Sequence, residues 1–220
     1  MHARLQLDLA RADVLAALGA GLLAGGAAQR EQRVERLFSP EGDAFVALSA
    51  RSGFEAYLAA LALPAGSEVL VSGLTIPHMV ELLEAHGLVV VPLALDARTL
   101  AVQPDELARR ASPRTRAVLF AHLFGVRAEL GSLQALARAR GWLFWEDCAQ
   151  AWSGDGWRGS PRSDLVLFSF GLIKTATAVQ GGVLCVRDAG VRARMKEQVA
   201  SWPVQPRRDF LARALKAGGL

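Results

Sequence analysis

The chain has 220 residues, 52% of them hydrophobic and 21% charged, enough to bury a full core as one large domain with or without an appendage, and too apolar to stay disordered. Its net charge of +4 is interleaved with acids along helical stretches, as at Arg30, Glu31, Arg33, Glu35 and Arg36, so no basic face is offered to nucleic acid. The longest apolar run, residues 14–28, holds fifteen residues with four glycines, too short to cross a bilayer; with Asp8 and Asp13 before it and no small-residue cleavage site after it, neither a membrane anchor nor a secretory leader is expected, and the chain reads as cytoplasmic.

In chain order, helical periodicity covers residues 11–24 and 30–37, and the Ser-Pro-Glu-Gly-Asp of 39–43 turns the chain. Strands and helices then alternate: strand 44–49, helix 52–63, strand 68–72, a helix at 77–86 opened by Pro77, and strand 88–93. Pro104 starts the next helix, 116–121 is a strand, 130–140 an amphipathic helix and 142–146 a strand. Past a turn-rich stretch at 153–163 come two closely spaced strands, 164–170 and 182–187, then helices near 191–199 and 209–216, the last stopped by Gly218 and Gly219. Strands separated by helices of this length predict an α/β fold with a mainly parallel sheet and helices on both faces, whose ligands sit at the carboxyl ends of the strands. The organisation expected is a helical segment at 1–40, a large domain at 41–200 and the start of a further region at 201–220.

Cys148 and Cys185 are the only cysteines. Neither belongs to a CxxC or CxxH pair, so both read as core thiols and no metal is expected. The glycines at 19, 21 and 25 imitate a dinucleotide fingerprint, but no strand precedes them, and a small-residue helix end is the better reading.

Lysine use is more informative. The chain has three lysines, Lys174, Lys196 and Lys216, against twenty-two arginines. Codon bias accounts for a background of that kind, yet a lysine kept within it suggests a need for an amine that can lose its proton, which guanidinium cannot do. Lys196 and Lys216 fall on charged amphipathic helices. Lys174 instead follows an apolar strand with no acid near it in sequence, and is either a reactive amine or a strand-end lysine lying along apolar surface.

Two further stretches stand out. Glu146-Asp147-Cys148-Ala149-Gln150-Ala151 leaves an apolar strand at its carboxyl end, where a parallel sheet presents its ligand; Asp147 there also suits a helix N-cap. Ser49-Ala50-Arg51-Ser52-Gly53, between a strand and a helix, would turn backbone N–H groups toward an anion.

In this order and spacing, the stretches resemble the DegT/StrS sugar aminotransferase family, a branch of the fold-type I pyridoxal-phosphate enzymes with an aspartate aminotransferase-like large domain. Gly66-Ser67-Glu68-Val69, Pro113-Arg114-Thr115-Arg116-Ala117 and His122-Leu123-Phe124-Gly125 extend the likeness over nearly the whole chain. Its most specific matches are the run from Glu146 to Ala151, and Phe168-Ser169-Phe170 followed by Lys174 and then Gly181-Gly182.

The resemblance implies pyridoxal 5′-phosphate as cofactor. Lys174 would hold it as a Schiff base and later carry a proton. Asp147 would pair with the ring nitrogen, and Gln150 would sit near the phenolic oxygen. Ser169 and the backbone at Ala50 and Arg51 would hold the phosphate. It further implies an amino acid donor, glutamate or glutamine, a keto acceptor such as a nucleotide-linked sugar, and a homodimer.

Departures accompany the likeness. Ile76 stands where the family often has an aromatic over the ring, Arg51 replaces a threonine at the phosphate seat, and Thr175 replaces an asparagine after the lysine. Family members also continue well beyond the length of this chain into a smaller domain, so a fragment or a natural short form is expected. The alternatives to a transaminase are a dehydratase-like enzyme with the same cofactor, which Lys174 argues against, and a catalytically incomplete cofactor-binding domain.

Overall fold

A computed structural model describes residues 10–22, 26–174 and 176–218. Thr175 and the end of the first predicted helix, at 23–24, lie outside the described residues. The chain runs through α1 (Arg11–Leu22), α2 (Ala27–Phe38), β1 (Ala44–Ala47), α3 (Ala50–Leu61), β2 (Glu68–Ser72), α4 (Pro77–Ala85), β3 (Val89–Leu93), α5 (Pro104–Arg110) and β4 (Thr115–Ala121). It continues through α6 (Gly131–Ala139), β5 (Leu143–Asp147), β6 (Leu165–Ser169), β7 (Gly182–Val186), α7 (Ala189–Ala200) and α8 (Arg207–Gly218). Among the described residues, no helix is long and apolar enough to cross a membrane.

The seven strands form one sheet in the order β1-β7-β6-β5-β4-β2-β3. β3, β2, β4, β5 and β6 run parallel to one another, while β7 is antiparallel to both β6 and β1. The central strands read as continuous apolar runs because each face is covered. β3 is the exception: it is half exposed and contains Pro92, which an edge strand tolerates because one row of its N–H groups has no partner strand.

Strand alternation sorts the core into layers. On one face Trp145, Leu165, Leu167 and Leu184 pack with Phe54, Tyr57, Met79, Leu83 and Met195 of α3, α4 and α7. Trp145 is fully buried and meets Phe54 and Tyr57 edge-on, at 5.8 and 5.6 Å between ring centroids. On the opposite face Leu70, Val118, Phe120 and Phe144 pack with Leu107, Leu133 and Ala137 of α5 and α6. Phe38 at the end of α2 joins Val166, Phe168 and Trp152 in a smaller cluster, with the Arg158 guanidinium 4.2 Å from its ring centroid.

The structure shifts two expectations. The strand runs one residue past its expected end at Glu146: Glu146 pairs with Phe120 and Val166, and Asp147 completes it by pairing with Ala121 and Leu167. Asp147 is also no helix cap. The residues after it form turns rather than a helix, and its Oδ1 accepts the Ala149 N–H at 2.9 Å, the local turn that aspartate makes with the amide two residues on.

Gly182 allows the closest approach in the sheet. Ser49 bridges to Gly181, and a Cβ added at Gly182 would run into the backbone of Ser49 and Ala50. Backbone cannot yield as a flexible side chain does. Gly182→Ala is therefore expected to destabilise the fold by about 1–3 kcal/mol, whereas Gly131→Ala, with nothing within 4 Å of the added carbon, should stay within about 0.5 kcal/mol of the native value. Urea unfolding midpoints of the two variants measure the contrast.

Candidate functional site

The same alternation that fills the core places the polar side chains at its upper edge. Trp145 and Leu167 point into the α3 face, so Asp147 and Ser169, two residues further on, leave the sheet on that face where the hydrophobic layer ends. They line a cavity of about 500 Å³ together with Ser49, Ala50, Arg51, Ile76, Met79, Lys174, Gln180, Gln205 and Arg213. Six of the seven residues singled out as cofactor-binding from the sequence thus reach one cavity: Ala50, Arg51, Ile76, Asp147, Ser169 and Lys174.

Lys174 lies in the loop between β6 and β7. That loop is closed by Phe170 N–H to Gly181 C=O at 3.0 Å and Ala178 N–H to Phe170 C=O at 2.9 Å, and the Lys174 N–H donates to Gly171 C=O at 3.0 Å. Val179 in the same loop is buried at φ 71°, a left-handed conformation that costs a β-branched residue about 1 kcal/mol or more. Its N–H donates to Thr177 Oγ1 at 3.2 Å.

The charges in the cavity are matched in part. Burial pushes the Asp147 carboxyl above its usual range, opposed by the Ala149 N–H and by the positive charge of Lys174. A group that is costly to ionise in a closed site gains from a cationic partner. The opposite demand comes from Arg51 and Arg213: among the described residues, no carboxylate pairs with either.

The start of α3 is capped internally. Ser49 Oγ accepts the Ser52 N–H at 3.1 Å and Ser52 Oγ accepts the Ser49 N–H at 2.9 Å, a reciprocal arrangement that fixes the strand-to-helix turn. The Ala50 and Arg51 N–H groups remain as first-turn donors with no acceptor inside the helix. They line the cavity, as an anion seat requires.

Gln150 departs from expectation. It is exposed and does not line the cavity, and its Oε1 accepts the Phe124 N–H at 3.2 Å. It holds the 122–126 turn, in which Phe124 and Gly125 are both left-handed.

Glu146 has a role its position beside Asp147 did not reveal. One residue earlier in the strand, it points into the α6 face, and both it and His122 are 1% exposed. His122 Nδ1 accepts the Ala128 N–H at 3.2 Å, so Nε2 carries the ring proton and donates to Glu146 Oε2 at 2.9 Å. The Ser160 N–H donates to Oε1 at 3.0 Å, the Ser163 hydroxyl donates to the same oxygen, and Gln134 Nε2 lies 3.5 Å from it. The Cys148 thiol lies close by, its Sγ within 4.8 Å of the His122 and Glu146 ligand atoms, and burial raises it well above its usual pKa. With the carboxylate oxygens occupied by donors, this is a hydrogen-bonded knot that ties loop 153–163 to β4, β5 and α6. The signal available in the sequence was the register of Glu146 with Phe144.

Comparisons with known proteins bear on the family and the fold. The family model described as the DegT/DnrJ/EryC1/StrS aminotransferase family matches residues 11–201. The chain is 32% identical over 177 residues to L-glutamine:2-deoxy-scyllo-inosose aminotransferase of Streptomyces lividus, covering 78% of this chain and 42% of that protein. The crystal structure of the sugar aminotransferase CalS13 from Micromonospora echinospora superposes with a TM-score of 0.71 at 29% identity, over 88% of this chain and 56% of that one. NtdA from Bacillus subtilis, solved with bound cofactor PMP, has a TM-score of 0.72 at 16% identity, over 94% and 52% of the two chains, a likeness of fold. The chain spans about two fifths of the curated relative's length and a little over half of each solved one.

The raised Asp147 carboxyl gives the ligand-free protein a signed pH dependence. Its folded state holds the proton more tightly than its unfolded state, so this contribution to stability is full below the ordinary aspartate pKa and is lost as pH rises through the raised value. Asp147→Asn is expected to remove that loss, leaving the ligand-free protein more stable than the native one at neutral pH and no different below the ordinary aspartate pKa. Thermal melts of both proteins across the acidic to neutral range check the sign.

Proposed function

The chain belongs to the DegT/DnrJ/EryC1/StrS aminotransferase family, and on that premise we propose that it is the cofactor-binding part of a pyridoxal-phosphate aminotransferase. The observation that carries the proposal is the convergence of the Lys174 amine and the half-buried Asp147 on one cavity. About 500 Å³ falls within the usual size of a small-molecule site.

The residues present fit the cofactor. Asp147, costly to ionise in the ligand-free cavity, would be relieved by a protonated ring nitrogen and would in turn keep it protonated. The Ala50 and Arg51 N–H groups, the Ser169 hydroxyl and the unpaired Arg51 guanidinium suit the phosphate. Ile76 and Met79 offer aliphatic packing to the ring, in place of an aromatic. When bound, pyridoxal 5′-phosphate supplies an electron sink for the pair left behind when a proton leaves the substrate carbon.

The work left to the chain is binding and proton transfer. Lys174 Nζ would hold the cofactor, and as a free amine it would take the proton from the donor's Cα and return it elsewhere. Asp147 would keep a proton at the ring nitrogen of the bound cofactor. Lysine suits this cycle because its amine works in both protonation states, and arginine does not.

The relatives support a choice of donor and acceptor. Glutamine is the donor named for the Streptomyces lividus protein, and a keto group on a sugar-like ring is the acceptor class we assign, with glutamate as the other candidate donor. A homodimer accords with Leu48, Ile76 and Ile173, apolar cavity-lining residues that are 53%, 44% and 71% exposed.

Protein loaded with pyridoxal 5′-phosphate is expected to turn yellow and to bleach when glutamine or glutamate is added. Asp147→Asn should keep the colour but slow bleaching about 10²-fold or more. Colour that no amino donor bleaches would leave a cofactor-binding domain without transaminase chemistry.

A further inference from the structure

We propose that Arg213 is a second oxyanion-binding residue of the cavity, acting at the end where α3 begins. The inference rests on the cofactor reading above and deepens it. Its sources of oxyanion are the phosphate of the cofactor and the carboxylate of the amino donor, which share one chemistry: a planar pair of acceptor oxygens offered to a guanidinium fork.

A chain of contacts brings Arg213 there. Ser49, the residue before α3, bridges to Gly181. The next residue back, Gln180, donates from Nε2 to Gln205 Oε1 at 2.5 Å. Gln205 lies two residues before α8, and all three of Gln180, Gln205 and Arg213 line the cavity with Ser49, Ala50 and Arg51.

α8 itself is held from behind. Ala214 and Ala217 are buried, and the helix lies against α1. A Cβ added at Gly21 would come within 2.7 Å of Leu211 Cδ2, and one at Gly218 within 2.9 Å of a Val14 methyl. Small residues thus let the two helices approach closely and fix the face from which Arg213 reaches the cavity.

Two polar groups in this wall lack partners. Among the described residues no carboxylate neutralises Arg213, and the shielded Oε1 of the half-buried Gln180 has no hydrogen bond. A guanidinium on the cavity wall beside the Ala50 and Arg51 N–H groups suits an anionic ligand, while Gln180 Oε1, itself an acceptor, calls for a donor such as an N–H or O–H of the same ligand. A phosphate carries close to two negative charges at neutral pH, more than Arg51 alone balances. Nothing in the sequence pointed to Arg213, because the segment from 201 onward matches none of the motifs that locate the cofactor site.

The test compares ligands that differ only in the oxyanion. Dissociation constants of pyridoxal 5′-phosphate and of pyridoxal are measured by absorbance titration for the native chain, Arg213→Leu and Arg213→Lys. The loaded proteins are then titrated with 2-aminoisobutyrate and with isopropylamine, its counterpart without a carboxylate, and binding is read by calorimetry.

Arg213→Leu is expected to weaken one oxyanion-bearing ligand by roughly tenfold or more while leaving its oxyanion-free counterpart unchanged, with partial recovery in Arg213→Lys and an unaltered melting temperature. Selective loss in the first pair assigns the phosphate, and in the second pair the carboxylate. Equal loss within both pairs, or none, overturns the inference and leaves the cofactor reading intact. Should the native chain bind pyridoxal 5′-phosphate no better than Lys174→Ala does, that reading fails instead. Inorganic phosphate then tests the seat alone: a rise in melting temperature in the native protein that Arg213→Leu lacks supports it, and equal rises overturn it.

Discussion

In β5, successive side chains leave opposite faces of the sheet, and the rest of the site depends on that alternation. Phe144 and Glu146 face α6, while Trp145 and Asp147 face α3. The strand is anchored at its apolar end by an indole locked between Phe54 and Tyr57. At its carboxyl end the Glu146 knot secures one face, so Asp147 is delivered to the other face with little freedom. A one-residue slip would exchange the two carboxylates, burying Asp147 among His122 and the serines and leaving Glu146 over the cavity.

The opposite wall of the cavity is made from less regular backbone. Lys174 rides on a loop between two antiparallel strands, closed at its base by the Phe170 and Gly181 pairing and containing Val179 in a left-handed conformation. Strain of this kind persists only where the surroundings impose it, and here those surroundings are the β6 and β7 termini and the start of α3. The cavity therefore combines a rigid carboxylate on a central strand with an amine on a constrained loop. A carboxyl that burial makes costly to ionise is a cost to the ligand-free fold that, on the proposed function, a bound cofactor would relieve.

Much of this was legible in the sequence because it is local. Strand and helix periodicity located the elements of the sheet, the scarcity of lysine drew notice to Lys174, and the small residues from Ser49 marked a helix start. The features that escaped depend on contacts between distant segments. Glu146 reads as one half of an acidic pair until its partners are known, and those lie 24 residues away at His122 and 14 away at Ser160. Gln150 was named from the resemblance alone, and the seat of its carboxamide depends on the 122–126 turn, whose Phe124 N–H its Oε1 accepts. Arg213 was indistinguishable among twenty-two arginines before the fold carried α8 back to the cavity.

The scarcity of lysine also makes the central claim simple to examine. Borohydride reduction of the protein loaded with pyridoxal 5′-phosphate, followed by peptide mass mapping, locates the cofactor on whichever of the three lysines bound it. The account predicts a reduced adduct on the peptide carrying Lys174, with Lys196 and Lys216 unmodified. An adduct spread over all three lysines, or found on Lys196 or Lys216 with Lys174 free, would contradict it.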